Sequence, residues 1–252
     1  MEKIIHYCWF GPKPLPKLVK KCITSWKKYM PDYEIKLWSE KNVDLEECAF
    51  IKEAYENKKW AFVADYVRTK VLYEHGGIYF YTDMELTKSL EPLMTEDFII
   101  GVEDSGYIAA GLIVVKNKKN KYIKKMQDFC QSKSFNEIED LFEISIPKVL
   151  TNVFKDDVDL SETSKIIKIN KELAIYPREY FYPLSYDRKN NIFTENTYGI
   201  HYYDDSWINF TSKVSLWLTK HNLGYLTKIL YSICNFFNKK NKKKENRVIL
   251  CI

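Results

Sequence analysis

Asp65 and Arg68 stand three residues apart in residues 59–75, a stretch whose apolar spacing predicts a helix, so their side chains share one helix face. That helix runs into Gly76-Gly77. Ile78-Tyr79-Phe80-Tyr81-Thr82-Asp83 follows, and its β-branched and aromatic residues predict a central strand ending at Asp83, with Glu85 just beyond. In open α/β sheets ligands bind at the carboxyl ends of strands, so Asp65, Arg68, Asp83 and Glu85 converge on one sheet edge. Carboxylates there can hold Mg2+ or Mn2+ through oxygen, and such ions bind through one or two carboxylates plus the phosphates of a substrate. Each piece also has an ordinary reading: an i,i+3 surface ion pair, a turn aspartate, and, for Trp9 on the first strand, a core aromatic. Their joint order along one chain favours chemistry.

The elements that must position these groups follow from periodicity. Residues 3–10 predict a buried first strand that stops at Gly11-Pro12, and residues 16–29 predict a helix from Leu18, Val19, Cys22, Ile23 and Trp26. Pro31-Asp32 marks a turn and residues 33–38 alternate as a second strand, so the chain opens β-α-β, the start of an α/β sheet. Further helices are expected over 46–57, 119–131 and 142–154. Short strands are expected over 98–103, 112–116, within 166–175, and over 197–203. Residues 181–191 read as aromatic and irregular. Glu103 and Asp104, after the 98–103 strand, either line a sugar site or solubilise a loop.

The chain has 252 residues, 46% hydrophobic and 29% charged, which excludes a disordered or collagen-like chain and suits one large domain with a sizeable core. No run of about 18 apolar residues suggests a membrane span, and residues 1–6 do not resemble a secretory signal. The six cysteines show no CxxC spacing, so free thiols in a reducing, cytoplasmic setting are expected. The net charge of +5 is uneven: residues 213–252 hold nine Lys/Arg and one acid, a net +8, which leaves −3 on the first 212. Between Val214 and Phe237 apolar residues recur at helical spacing, and Asn238-Lys239-Lys240-Asn241-Lys242-Lys243-Lys244 follows. This segment reads either as an amphipathic basic helix docking on an anionic membrane surface or as a helix closing the core with a solvated end. Nucleic acid is not expected as a partner, because the positive charge is confined to the tail and the body holds no nucleic-acid motif.

The run Ile4-Ile5-His6-Tyr7-Cys8-Trp9-Phe10-Gly11 resembles the opening of the family 32 glycosyltransferases, which include capsular polysaccharide and lipopolysaccharide sugar transferases. Ser25-Trp26-Lys27-Lys28-Tyr29-Met30-Pro31-Asp32-Tyr33-Glu34-Ile35 continues the likeness. So do Ala61-Phe62-Val63-Ala64-Asp65-Tyr66-Val67-Arg68, His75-Gly76-Gly77-Ile78-Tyr79, and, more thinly, Gly199-Ile200-His201-Tyr202-Tyr203-Asp204-Asp205-Ser206-Trp207. The pattern is also similar to the catalytic core of clostridial glucosylating toxins. The resemblance implies a GT-A fold over residues 1–212: a Rossmann-like, mostly parallel sheet flanked by helices, with a small antiparallel piece. It implies retaining, metal-dependent transfer of a hexose from a nucleotide-sugar, usually a UDP-sugar, to a glycan or lipid-linked glycan acceptor in bacterial surface polysaccharide synthesis, at the inner face of the cell membrane. By position, Trp9 would stack on uracil, Asp65 would hold donor-sugar hydroxyls, and Arg68 would order the metal-site loop. Asp83 would ligate Mn2+ or Mg2+, His201 would be a second ligand or a diphosphate contact, and Ser206 and Trp207 would assist the leaving diphosphate.

One departure stands out. The family's metal motif is Asp-x-Asp, and here that stretch is Tyr81-Thr82-Asp83. Three readings stay open: the Tyr81 hydroxyl bonds the ribose instead, Glu85 supplies an additional carboxylate to the metal, or catalysis is weakened and the protein binds nucleotide or assembly partners.

Overall fold

The computed structural model describes residues 1–141 and 143–204. Ser206, Trp207, the 213–252 segment, Cys234 and Cys251 lie outside the described residues. In chain order the elements are β1 (Ile4–Cys8), α1 (Lys17–Tyr29), β2 (Glu34–Trp38), α2 (Ala49–Glu56), α3 (Trp60–His75), β3 (Gly77–Phe80), β4 (Met84–Leu86) and β5 (Phe98–Val102). They continue with β6 (Ile108–Val115), α4 (Lys121–Gln131), α5 (Ile146–Phe154), β7 (Ile167–Ile169), β8 (Leu173–Tyr176), α6 (Arg178–Phe181) and β9 (Gly199–His201).

Seven strands form the main sheet in the order β2-β1-β3-β6-β5-β8-β7, while β4 and β9 make a separate antiparallel pair. β1 is parallel to β2 and β3, and β5 is parallel to β8; β6 and β7 run against their neighbours. Five strands therefore point one way. β3, β5, β6 and β8 are buried on both faces, which is why they read as continuous apolar runs rather than alternating ones. One face, with Tyr79, Phe98, Ile113 and Leu173, packs under α2, α3, α4 and α5. The other, with Ile5, Ile78, Phe80 and Leu112, packs against Trp26 of α1 and Met84 and Leu86 of β4. Helix α3 touches α2, α4 and the sheet, so the polar Asp65, Arg68 and Thr69 are buried on it while Glu74 stays exposed.

The α3–β3 junction needs both its glycines. Gly76 and Gly77 have φ of +68° and +91°, and a Cβ on Gly77 would lie 2.7 Å from the Ile4 carbonyl oxygen. His6 pins the same corner. Its Nδ1 accepts the Trp38 indole N–H at 3.1 Å, so Nε2 carries the proton and donates to the Gly76 carbonyl at 3.0 Å. Burial drives this imidazole down to a pKa of about 4, although the Gly76 bond opposes the shift.

Several elements differ from sequence expectation: the helix expected over 46–57 spans Ala49–Glu56, and the strand expected over 197–203 is Gly199–His201. The strand expected to reach Asp83 stops at Phe80, because the Met84 N–H turns back to the Tyr81 carbonyl at 3.0 Å and lifts the chain out of the main sheet. The segment expected over 112–116 is part of an eight-residue strand, β6. The single strand expected within 166–175 is two, β7 and β8, joined at Asn170, whose φ is +46°. The helix expected from 142 starts at Ile146, where Pro147 suits a first turn. Among the described residues, Cys8, Cys48 and Cys130 are free thiols, and no helix is long and apolar enough to cross a membrane.

Candidate active site

The centre is built on the two ends of the turn between β3 and β4. Asp83 follows Tyr81 and Thr82, and the β4–β9 register sets Met84 opposite His201. A second tie, from the Tyr202 N–H to the Asp83 carbonyl at 3.0 Å, holds the C-terminal strand against the turn. His201 Nε2 thus lies 3.3 Å from Asp83 Oδ1. Both side chains are mostly buried, at 10% and 15% exposure. His201 Nδ1 is buried with no hydrogen-bond partner among the described residues.

Beside this pair sits a buried cation. Arg68, 1% exposed, donates from Nη2 to Asp65 Oδ1 at 2.6 Å and from Nη1 to the Tyr81 hydroxyl at 3.1 Å. Its guanidinium also lies over the Tyr79 and Tyr81 rings, at 4.7 and 4.5 Å. Its Nε is buried and unpartnered among the described residues. Burial pushes the Asp65 carboxyl up to about 6 against the pull of Arg68. Burial works against the charge on Arg68 as well, but Tyr81 and Asp65 outweigh it and hold the guanidinium above its usual range. The Tyr81 phenol is raised by burial. Its ring fits because residue 111 is glycine: a Cβ there would come within 3.1 Å of Tyr81 Cδ2 and 3.2 Å of the Tyr182 hydroxyl.

Sequence reasoning placed Asp65, Arg68, Tyr81, Asp83 and His201 together, and the structure gathers them. It places Glu85 otherwise. That carboxylate binds Lys21 Nζ at 2.8 Å and accepts the Tyr202 hydroxyl, so its partners belong to α1 and to the residue after β9. Trp9 follows β1, partly exposed, with its indole N–H on the Lys13 carbonyl at 2.6 Å. Ser206 and Trp207 are beyond the described residues.

Glu103, which the sequence offers either as lining a sugar site or as solubilising a loop, lies near the centre, as do Tyr182 and Tyr203, which the sequence does not single out. Glu103, at the end of β5, has its carboxyl raised by burial; Ser105 Oγ, bonded to it at 2.8 Å, and His201 oppose that shift. Asp104, its neighbour, instead pairs with Arg178 and accepts the Tyr186 N–H at 3.1 Å, which is a structural tie between loops. Tyr182 threads its hydroxyl into β6, accepting the Leu112 N–H at 3.1 Å and donating to the Ala109 carbonyl at 3.2 Å. Tyr203 packs against His201 with ring centroids 4.2 Å apart and the planes tilted by 54°, and adopts a left-handed φ of +47°, a costly conformation for an aromatic residue. Position after a strand was the one available signal for Glu103; Tyr182 and Tyr203 carried none.

The donor set fits a divalent cation of the Mg2+ or Mn2+ kind. Asp83 and His201 offer a carboxylate oxygen and an imidazole nitrogen close together, and no cluster of three or more His, Cys, Asp or Glu that could hold a metal occurs among the described residues. Two protein ligands leave the rest of the coordination sphere to substrate phosphates and water.

The main sheet and the separate β4–β9 pair are the GT-A glycosyltransferase fold. Residues 16–99 match the family described as glycosyltransferase sugar-binding region containing DXD motif. The matched stretch, about a third of the chain, contains α3, Tyr81 and Asp83. Among solved structures the chain is similar to PaToxG glycosyltransferase, at 20% identity and a TM-score of 0.52, over 62% of this chain and 70% of that one. It also matches glycosyltransferase GlyE from Streptococcus pneumoniae TIGR4 in its apo form, at 13% identity and TM-score 0.49, over 93% and 64% of the two chains. A third match is galactosyltransferase LgtC in complex with donor and acceptor sugar analogs, at 13% identity and TM-score 0.42, over 88% and 95%. No curated protein matches the chain.

Proposed function

We propose that this protein transfers a hexose from a nucleotide-sugar, a UDP-sugar, to a glycan or lipid-linked glycan acceptor of a bacterial surface polysaccharide, with retention at the anomeric carbon. The observation that carries the reading is the Asp83–His201 pair set beside the buried Asp65–Arg68–Tyr81 cluster. Asp83 and His201 hold Mn2+ or Mg2+, which when bound neutralises charge on the donor diphosphate. Trp9 presents its ring to the base; base stacking on an aromatic is worth about 1–3 kcal/mol. Asp65 accepts hydrogen bonds from donor-sugar hydroxyls, held in place by Arg68. Tyr81 meets the ribose where the family has aspartate. Ser206 and Trp207 assist the leaving diphosphate.

Bond breaking at the anomeric carbon leaves the electron pair on the diphosphate oxygen and an oxocarbenium-like sugar. The acceptor hydroxyl attacks from the same face, and the departing phosphate takes its proton. Glu103, close to His201, lines the sugar pocket. The body, residues 1–212, is the catalytic domain, and residues 213–252 dock it on the anionic inner face of the cell membrane.

The test is a nucleotide-sugar panel with Mn2+, read as transfer or slow hydrolysis. Turnover lost in Asp83→Ala is the expected result; neither binding nor turnover on the whole panel overturns the reading. Tyr81 motivates a second reading, a nucleotide-binding protein of weakened catalysis. Calorimetric binding of UDP without turnover on any acceptor favours it.

A further inference from the structure

Helix α1 carries five lysines and no acidic residue in thirteen positions, although residues 1–212 are net negative. Lys17, Lys20, Lys21, Lys27 and Lys28 are all exposed, and Val19, Cys22, Ser25 and Trp26 form the buried side. At about 100° per residue the five lysines fall within an arc of about 120°. They therefore form one stripe along the outer face of the helix.

Elsewhere only some of the lysines are neutralised by a carboxylate. Lys52, Lys70, Lys121, Lys125 and Lys168 each meet a carboxylate at 2.5–3.1 Å. On α1 only Lys21 has an ion pair among the described residues, with Glu85; Lys28 lies over the Tyr29 ring at 4.8 Å. A recess of about 350 Å³ opens beside the stripe, lined by Lys21, Thr24, Lys28, Tyr29, Thr87 and the carboxylate of Glu85. Lys17, Lys20, Lys27 and Lys28, with no ion pair among the described residues, present a positive charge that matches the phosphates of lipid headgroups.

We propose that the lysine stripe of α1 is a second membrane-contact surface, which binds an anionic phospholipid bilayer through headgroup phosphates. The proposal rests on the membrane reading of residues 213–252 given above and adds a surface on the folded body. A bilayer is favoured over a soluble polyanion because the sequence joins an amphipathic apolar stretch to its own lysine run in 214–244, a pattern suited to lying in a lipid interface.

The experiment is co-sedimentation of the full chain with phosphatidylcholine vesicles, with and without phosphatidylglycerol. Three variants are compared with the parent: Lys20→Glu/Lys27→Glu on α1, a control of equal charge change (Lys155→Glu/Lys171→Glu), and Lys239, Lys240, Lys242, Lys243 and Lys244 all changed to Gln. Binding only to the anionic vesicles is expected, weakened at least about 30-fold by the α1 pair and little changed by the control. Parent-like binding of the α1 variant, with loss only in the tail variant, overturns the proposal and leaves the tail reading standing. Absence of binding by the parent to either vesicle overturns both. Equal loss in the control and α1 variants shows a bulk-charge effect and overturns the α1 surface.

Discussion

The Arg68 guanidinium donates to the Tyr81 hydroxyl at 3.1 Å, so the residue standing in the first position of the metal motif is bound to the cation of α3. An aspartate there would bring a full negative charge to Arg68 and to Asp83 alike. Tyr81→Asp is therefore expected to raise Mn2+-dependent UDP affinity at least about 10-fold, a charge-pair effect of roughly 1.4 kcal/mol. Calorimetry at fixed UDP with titrated Mn2+ reads it directly. An unchanged affinity would mean that Tyr81 already supplies what the aspartate does in the family.

Asp83→Asn keeps the shape of the turn and removes the charge. Loss of one preorganised electrostatic group of this kind costs about 10²–10³ in turnover. Single-turnover transfer with the preferred nucleotide-sugar is the measurement, with thermal melting run alongside to show that the fold is intact.

Arg68→Ala removes one partner of a buried ion pair and strips the ring contacts of Tyr79 and Tyr81. The expected loss of stability is about 3–5 kcal/mol, seen as a lower urea midpoint. Asp65→Asn leaves the cation stacked and still bonded to Tyr81, so its midpoint should fall less.

His6 makes folding sensitive to acid. Its imidazole titrates near 4 in the folded chain and near 6.5 when unfolded, so the unfolded state binds more protons between those values. The stability it contributes is complete above pH 6.5 and falls away as the pH drops toward 4, by about 3 kcal/mol. Asp65 acts with the opposite sign, since its raised carboxyl takes up a proton more readily in the folded chain. Urea midpoints at pH 7 and pH 4.5 in the parent and in His6→Gln isolate the histidine: the variant should lose less stability on acidification.

Glu103→Gln tests the sugar pocket separately from the nucleotide. UDP affinity should hold within about 2-fold while kcat/KM for the UDP-sugar falls about 10- to 100-fold, the range of a lost charged hydrogen bond. A matching fall in UDP affinity would place Glu103 on the nucleotide instead.

Much of this architecture was legible because its signals are local. The spacing of Asp65 and Arg68 put them on one helix face, and Gly76-Gly77 marked the turn into β3. Their burial was not legible: an i,i+3 pair reads as a surface pair until α2, α4 and the sheet close around α3. The early end of β3 at Phe80 depends on one hydrogen bond, from Met84 N–H to the Tyr81 carbonyl, that no residue pattern announces. Glu85 looked like a ligand by alternation, yet Lys21, 64 residues away, holds it. Tyr182 reaches the centre through tertiary packing alone.

The pairing of β4 with β9 has a temporal side. Met84 and His201 face each other across more than a hundred residues, and neither strand belongs to the seven-stranded sheet. During synthesis the sheet's early strands, β1, β2 and β3, are made long before the segment that brings His201 to Asp83. On the proposed function, a nascent or C-terminally clipped chain packs its early sheet yet lacks the Asp83–His201 pair until β9 takes its register.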